Sequence, residues 1–188
     1  MQKSEIIQPW TSAREYPLSE MRAVSAPRLK GAKRAVAEWL TVQEYEKVLD
    51  LSCDDGALLC WLKAKYRLTA CGISESAEQA HFARERLSDA DILAARPVDI
   101  PWHDAAFDTV FSAAPAGNYQ DFERVLAEVR RVLRKGGQFV LSVPRLSSDG
   151  NAPRVMMRQL QQAGFQNVSW RPFRLSGVCV AWKDPELS

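Results

Sequence analysis

Residues 47–56 read Lys-Val-Leu-Asp-Leu-Ser-Cys-Asp-Asp-Gly, an apolar run of strand type that ends in an acid and a tight turn. A helical pattern begins directly after the turn, so the stretch predicts a strand, a turn and a helix in succession. Nucleotide-like cofactors sit at such junctions in open α/β folds, because the carboxyl end of the strand meets the N-terminus of the helix there. The turn has fewer glycines than such sites usually carry.

Composition limits the kinds of protein this chain can be. Its 188 residues are 46% hydrophobic, enough for one well-buried domain. A net charge of +2 gives no basic stripe of the kind that binds nucleic acid. The cysteines lack C-x-x-C pairs, so we expect reduced thiols in a cytoplasmic protein and no metal site. No apolar run is long enough to span a bilayer, and we expect no membrane partner.

Strand-type and helical patterns alternate along most of the chain. Residues 1–27 are aperiodic and predict an N-terminal arm or lid, and residues 28–188 predict a single domain. The strand-type runs are 47–51, 67–72, 91–95, 108–113, 138–143, 167–173 and 178–183. The helical patterns are 28–40, 57–65, 76–87, 121–134 and 153–163, with glycine stops at Gly136, Gly137 and Gly164.

This alternation predicts an α/β fold, a three-layer sandwich around a seven-stranded and mostly parallel sheet. The last two strand-type runs are joined by residues 174–177 alone. So short a link permits only an antiparallel pair, so we expect the sheet to end in an antiparallel hairpin.

Two further segments carry a family resemblance. Residues 107–112 read Phe-Asp-Thr-Val-Phe-Ser, and residues 128–142 run from Glu-Val-Arg-Arg-Val-Leu-Arg through Lys-Gly-Gly to a second strand. Together with Asp-Ile-Pro-Trp at 99–102, these segments resemble the class I S-adenosylmethionine-dependent methyltransferases, specifically the small-molecule (type 11 domain) group that includes quinone-biosynthesis enzymes. The resemblance covers roughly residues 35–183 and implies a Rossmann-like methyltransferase fold.

The resemblance also implies where S-adenosylmethionine would bind. The glycine-rich turn of the family corresponds to Asp50, Ser52, Asp54 and Gly56, with Cys53 between them, so two of its glycines are replaced. Asp54 and Asp55 are explained as well by capping of the next helix as by a binding role. Ala113, the last residue of the fourth strand-type run, completes this side of the implied site.

Two other contacts of the family are altered. In the family, an acid at the end of the second strand binds the ribose hydroxyls. Gly72 aligns with this acid and is followed by Ile73. Glu75 is another acid close by in the sequence. In the family, an acid and the backbone N–H of the next residue bind the edge of the adenine ring. Arg96 and Pro97 align with these two residues. Arginine only donates hydrogen bonds, and proline has no N–H.

A few polar and aromatic residues are candidates for acting on a small-molecule acceptor. They are predicted to lie in loops near the carboxyl ends of the third and fourth strands: His103, Asp104, Asn118 and Tyr119. His103 is the best titratable candidate for a base, although its pattern favours an ordinary exposed loop histidine. Trp10, Trp102 and Tyr119 are candidates for the wall of an acceptor pocket.

Two functions remain open from the sequence. The first is methyl transfer from S-adenosylmethionine to a small molecule, with altered cofactor contacts. The second is a catalytically degenerate methyltransferase fold that serves as a binding or regulatory module. A nicotinamide-dependent oxidoreductase is disfavoured, since no G-x-G-x-x-G follows the first strand.

Overall fold

The computed structural model describes residues 27–115, 117, 119–144, 152–173 and 176–184. Its helices are α1 Gly31–Trp39, α2 Ala57–Lys63, α3 Ala77–Arg86, α4 Phe122–Val132 and α5 Ala152–Gln162. Its strands are β1 Lys47–Asp50, β2 Thr69–Ser74, β3 Asp91–Ala94, β4 Phe107–Ser112, β5 Leu133–Pro144, β6 Gln166–Phe173 and β7 Ser176–Trp182. The predicted arm lies almost wholly outside the described residues.

The strands form one sheet in the order β3-β2-β1-β4-β5-β7-β6. Every pair from β3 to β5 is parallel, whereas β7 runs antiparallel to both β5 and β6. The predicted α/β sandwich with a terminal antiparallel hairpin is therefore confirmed. The carboxyl ends of β1 to β4 lie at one edge of the sheet because these strands are parallel.

Successive residues of the central strands pack on opposite faces of the sheet. Leu49 and Val110 belong to the core cluster that covers one face with α4 and α5. Their chain neighbours Val48 and Phe111 belong to the cluster on the other face, under α1, α2 and α3. This alternation is the two-residue period of a strand, and it leaves both faces of the sheet covered by helices.

The helix before the double glycine ends earlier than predicted. Helix α4 stops at Val132, and β5 starts at Leu133, which pairs with Phe107 at the start of β4. The glycines therefore lie within the strand rather than at a helix end, and Gly136 (φ +74°) donates its N–H to the carbonyl of Lys183. Gly164, at φ +87°, does follow the end of α5 as predicted.

No helix in the described ranges is long and apolar enough to cross a bilayer.

Candidate functional site

The turn after β1 keeps the shape of a ligand cradle although two glycines are missing. Asp54 has φ +46° and Gly56 has φ +70°, both in the left-handed region. Aspartate tolerates this region better than most residues, so the chain turns without a glycine at position 54. Glycine is favoured at position 56 mainly by this backbone angle, and a Cβ there would also lie 2.9 Å from the movable Cδ1 of Leu87.

The side chain of Lys33, on α1, forms ion pairs with the acidic residues of this turn. Its Nζ lies 2.8 Å from Oδ1 of Asp55 and 3.4 Å from Oδ2 of Asp54, and Arg86 pairs with the other oxygen of Asp55 at 2.9 Å. Asp55 also accepts a hydrogen bond from the N–H of Ala57 in the first turn of α2. The capping interpretation thus holds for Asp55, whereas Asp54 pairs with Lys33.

Asp50 is a buried carboxyl group at the base of the cradle. It is 1% exposed, and it accepts a hydrogen bond from the N–H of Ser52 at 3.0 Å. Burial raises its pKa from 3.8 to about 7, and the nearby Asp54 carboxylate acts in the same direction. A cationic group bound beside it would favour the ionised form.

The end of β2 corrects one sequence prediction. The strand continues past Gly72 to Ser74, so Ser74, not Gly72, occupies the strand end. Gly72 lies inside the sheet, where a Cβ would be 2.9 Å from Cβ of Cys53 and 3.1 Å from Cδ1 of Leu59. Ile73 is buried in the core, and its carbonyl accepts the N–H of Cys53. No side chain fits at position 72 without displacing its neighbours.

Ser74 is itself tied to the start of α3. Its hydroxyl donates to Oε1 of Gln79 and accepts the N–H of Ser76, whose side chain caps the helix. The sequence Ser76-Ala-Glu-Gln79 is a capping signature that agrees with the predicted helix start at residue 76, and the strand runs almost up to it.

Beyond the ends of β2 and β3 lies a cavity of about 350 Å³. It is lined by Glu75, Arg96, Pro97, Val98, Tyr119, Gln120 and Val125. Arg96 and Pro97, which the resemblance implied as contacts of the adenine edge, thus line this cavity together with Glu75. Its volume falls within the range usual for small-molecule sites.

A chain of hydroxyl groups crosses from β1 to β4 next to this cavity. Ser112 Oγ, at the end of β4, lies 3.0 Å from Ser52 Oγ and 2.5 Å from the Tyr119 hydroxyl. Ser52 also accepts the N–H of Ala114, which follows the buried Ala113. Burial raises the pKa of Tyr119, so its hydroxyl stays protonated and can donate.

The other candidates from the loop before β4 lie at the opposite edge of the sheet. Asp104 forms an ion pair at 3.0 Å with Arg131, which lies in the last turn of α4. The His103 ring forms a hydrogen bond with the carbonyl of Asp104. Trp102 donates to Asp91, the first residue of β3. The prediction that these residues approach the carboxyl ends of the strands is wrong, because the loop has already crossed the sheet. Trp10 and Asn118 lie outside the described residues.

Sequence reasoning missed Lys33 and the serine–tyrosine contacts. Lys33 is 22 residues from Asp55 along the chain, and no local pattern links them. Ser112 is one residue before a predicted site residue, yet its bond to Tyr119 depends on the course of the intervening loop. No group of His, Cys, Asp or Glu side chains in the described part of the chain is arranged to hold a metal ion.

Comparison with known proteins agrees with the fold. Residues 49–141, from β1 to β5, match the family described as Methyltransferase domain. A demethylmenaquinone methyltransferase of Thermotoga maritima is 33% identical over 110 residues, which are 58% of this chain and 48% of that protein. The chain thus spans about half the length of this relative.

Solved structures share the fold at low identity. A methyltransferase dependent on S-adenosylmethionine from Aquifex aeolicus superposes with a TM-score of 0.65 at 17% identity, covering 80% of this chain and 87% of the other. The [4+2]-cyclase SpnF gives a TM-score of 0.71 at 17% identity, covering 82% and 80%. The fold therefore serves more than one reaction, and its likeness alone names none. The domain match over residues 49–141, the relatives and the sheet together support a class I S-adenosylmethionine-dependent methyltransferase.

Proposed function

We propose that the chain binds S-adenosylmethionine at the carboxyl edge of β1 to β4 and transfers its methyl group to a small molecule. The observation that carries this proposal is the retained turn. Asp54 and Gly56 keep left-handed backbone angles, and Lys33 pairs with both acids of the turn. The turn therefore keeps the backbone course of a ligand cradle without the glycine that usually supplies it.

Residues at the carboxyl ends of β1 to β4 could bind most parts of this cofactor. Asp50 and the turn backbone would face the methionine part, and the Glu75 carboxylate would accept from ribose hydroxyls. The cofactor supplies an activated methyl group on a sulfonium, and transfer depends largely on positioning the acceptor in line with it. Tyr119, beside both Ser52 and the cavity, is the polar side chain placed to orient an acceptor. The relative named for demethylmenaquinone supports a small molecule as that acceptor.

Calorimetric titration tests this proposal directly. We expect S-adenosylmethionine and S-adenosylhomocysteine to bind with dissociation constants of roughly 1 μM to 1 mM. Lys33→Met should weaken binding roughly tenfold, because the turn loses a charge-assisted contact. Lys63→Met is the matched control, since Lys63 is similarly buried and pairs with Asp89 away from the turn. Absence of heat at millimolar ligand, with the protein folded, would contradict the proposal.

One observation favours the second function, a binding module without catalysis. The Tyr119 hydroxyl bonds across the crevice to Ser112, which in turn contacts Ser52 at the first altered glycine position. A ligand that lay against the turn would have to displace or accommodate this contact.

Tyr119→Phe separates the two functions. If the hydroxyl chain closes the crevice, the phenylalanine variant should bind S-adenosylhomocysteine at least about tenfold more tightly than the wild type. Tyr66→Phe, remote from the crevice, should leave the affinity unchanged. Equal affinity in the wild type and the Tyr119 variant would contradict a closed crevice and favour the methyltransferase.

A further inference from the structure

A second cavity, of about 440 Å³, lies at the amino ends of the parallel strands, on the opposite edge of the sheet from the turn after β1. The loop before β4, the last turn of α4 and the ends of α5 and β7 form its walls. Arg130, Arg131 and Lys183 line it together with Asp104 and three alanines. The methyl transfer proposed above uses none of these basic residues.

Arg131 has no hydrogen-bond donor left for a ligand in this cavity. Its five N–H groups bind both oxygens of Glu128, one oxygen of Asp104 and the carbonyls of Ile100 and Trp102. Two carboxylates therefore compensate its charge, and its side chain joins α4 to the loop before β4. The role of Arg131 here is structural.

Arg130, by contrast, keeps donors that bind nothing in the part of the chain that the structure describes. Its Nη2 binds the two oxygens of Asp184 at 2.9 and 3.0 Å, whereas no contact is made by Nη1 or by the buried Nε. A Cβ on Gly164 would lie 3.1 Å from that Nε, so the backbone of Gly164 covers this atom. The Nη1 group is the part of the guanidinium that remains for a ligand.

Lys183 is held in place by the double glycine of β5. Its N–H binds the carbonyl of Gly137, and its carbonyl accepts the N–H of Gly136. Its Nζ donates to the carbonyl of Leu133 at 2.7 Å and forms no ion pair with any described carboxylate. Because an ammonium group has three donors, two of them stay unused. Lys183 is thus a fixed cation without an acidic partner.

The two cations lie close enough to repel each other. Burial lowers the pKa of Lys183, the nearby charge of Arg130 lowers it further, and the opposing effects of Asp184 and Asp104 are each smaller than that of Arg130. Asp104 does not separate the cations, because its carboxylate pairs with Arg131 and its side chain is 80% exposed. An anion bound to both would relieve the repulsion and accept from their free N–H groups.

We propose that this cavity is a second binding site, which takes the carboxylate group of a small organic acid between Lys183 and Arg130. One negative charge matches the one cation that lacks an acidic partner, whereas a phosphate dianion would bring a second negative charge close to Asp104. The small side chains of Ala127 and Ala163 leave room for the organic part of the acid. The site is separate from the proposed cofactor edge and does not depend on it.

Titration of the protein with 4-fluorobenzoate, followed by fluorine NMR, tests this site. The matched neutral probe is 4-fluorobenzamide, which has the same size and can donate to Asp104 but carries no negative charge. We expect the wild type to bind the benzoate with a dissociation constant of roughly 0.1 to 10 mM, as the number of its atoms allows. The benzamide should bind at least about tenfold more weakly.

Three variants locate the bound carboxylate. Lys183→Met should weaken binding of the benzoate at least about tenfold and leave binding of the benzamide unchanged, because only the charge and its donors are lost. Ala127→Leu, on the exposed surface of α4, keeps every charge but fills the cavity, so it should weaken both probes. Lys63→Met is the control, since Lys63 pairs with Asp89 away from the cavity, and it should change neither affinity.

Each alternative outcome would overturn the inference. Equal affinities for the two probes would show that no carboxylate is selected, and absence of benzoate binding at about 20 mM would show that no such site exists. An unchanged benzoate affinity in Lys183→Met or in Ala127→Leu would place the anion elsewhere. A loss in Lys63→Met as large as that in Lys183→Met would reveal a general charge effect. No probe here is a nucleoside, so the proposed methyl transfer stands or fails separately.

Discussion

Gly72→Asp is expected to lower the free energy of unfolding by at least about 4 kcal/mol, and to prevent folding if the protein is only marginally stable. The new Cβ would press on Cys53 and Leu59, and the carboxylate would be buried without a partner. It would also lie in register with Asp50 on β1, whose own pKa is raised by burial. Urea unfolding followed by circular dichroism measures the loss.

Two companion variants show which part of the effect is steric. Gly72→Ala adds only the Cβ and should cost about 1–3 kcal/mol. Ser74→Asp places the same acid at the true strand end, where it can still accept from the N–H of Ser76, and the Gln79 side chain must turn so that its NH₂ rather than its oxygen faces the carboxylate. Because Ser74 is itself buried but keeps a backbone donor, the cost should be about 1–3 kcal/mol, clearly less than that of Gly72→Asp. Similar losses for aspartate at positions 72 and 74 would contradict the strand end described here.

Asp50→Asn is expected to remove a pH dependence of stability between about pH 4 and pH 7. The folded-state pKa of about 7 lies above the unfolded value near 3.8, so the wild type is most stabilised by this group below pH 4 and loses that contribution as pH rises through 7. The loss can reach about 4 kcal/mol. Asparagine stays neutral, so the variant should be the more stable protein at pH 8.

Unfolding free energies at several pH values test this prediction. Asp99→Asn is the control, since Asp99 is an exposed carboxylate whose removal should leave the wild-type curve unchanged in shape. If the free energy of unfolding changed with pH in the same way in the wild type and in Asp50→Asn, a buried neutral carboxyl group at position 50 would be contradicted. Titration with a cationic ligand in buffers of different ionisation enthalpy should reveal proton release from Asp50 below pH 7.

The fold could be predicted because its signals are local and repeated. Each strand between β1 and β5 is a short apolar run, and the residues on its two faces alternate between the two core clusters. The two-residue link before β7 leaves only an antiparallel pairing. Where the prediction failed, at the end of α4, pairing of Leu133 with Phe107 extends the strand at the expense of the helix. Such a competition is decided by the partner strand, which the local pattern does not include.

The site could be predicted only in part. The turn from Asp50 to Gly56 and the pair Arg96–Pro97 lie where the sequence placed them, because they follow directly on strands. His103 and Asp104 were placed at the wrong edge, since a loop of twelve residues can return across the sheet before the next strand begins. The strand-type run of residues 67–72 predicts a strand that ends at Gly72, two residues too early, because pairing with β3 extends the strand to Ser74.

The sequence by itself determined the strands, the helices, their order and the turn that marks a cofactor site. These depend on residue period and on turn chemistry, both of which act over a few neighbouring positions. Only the tertiary structure decided which charges remain available to a ligand. Lys33 neutralises the acids of the turn from another helix, while Glu75 and Arg96 line a cavity without a described partner. Pairing of charges depends on distance in space, and distant segments come close only when the sheet has formed.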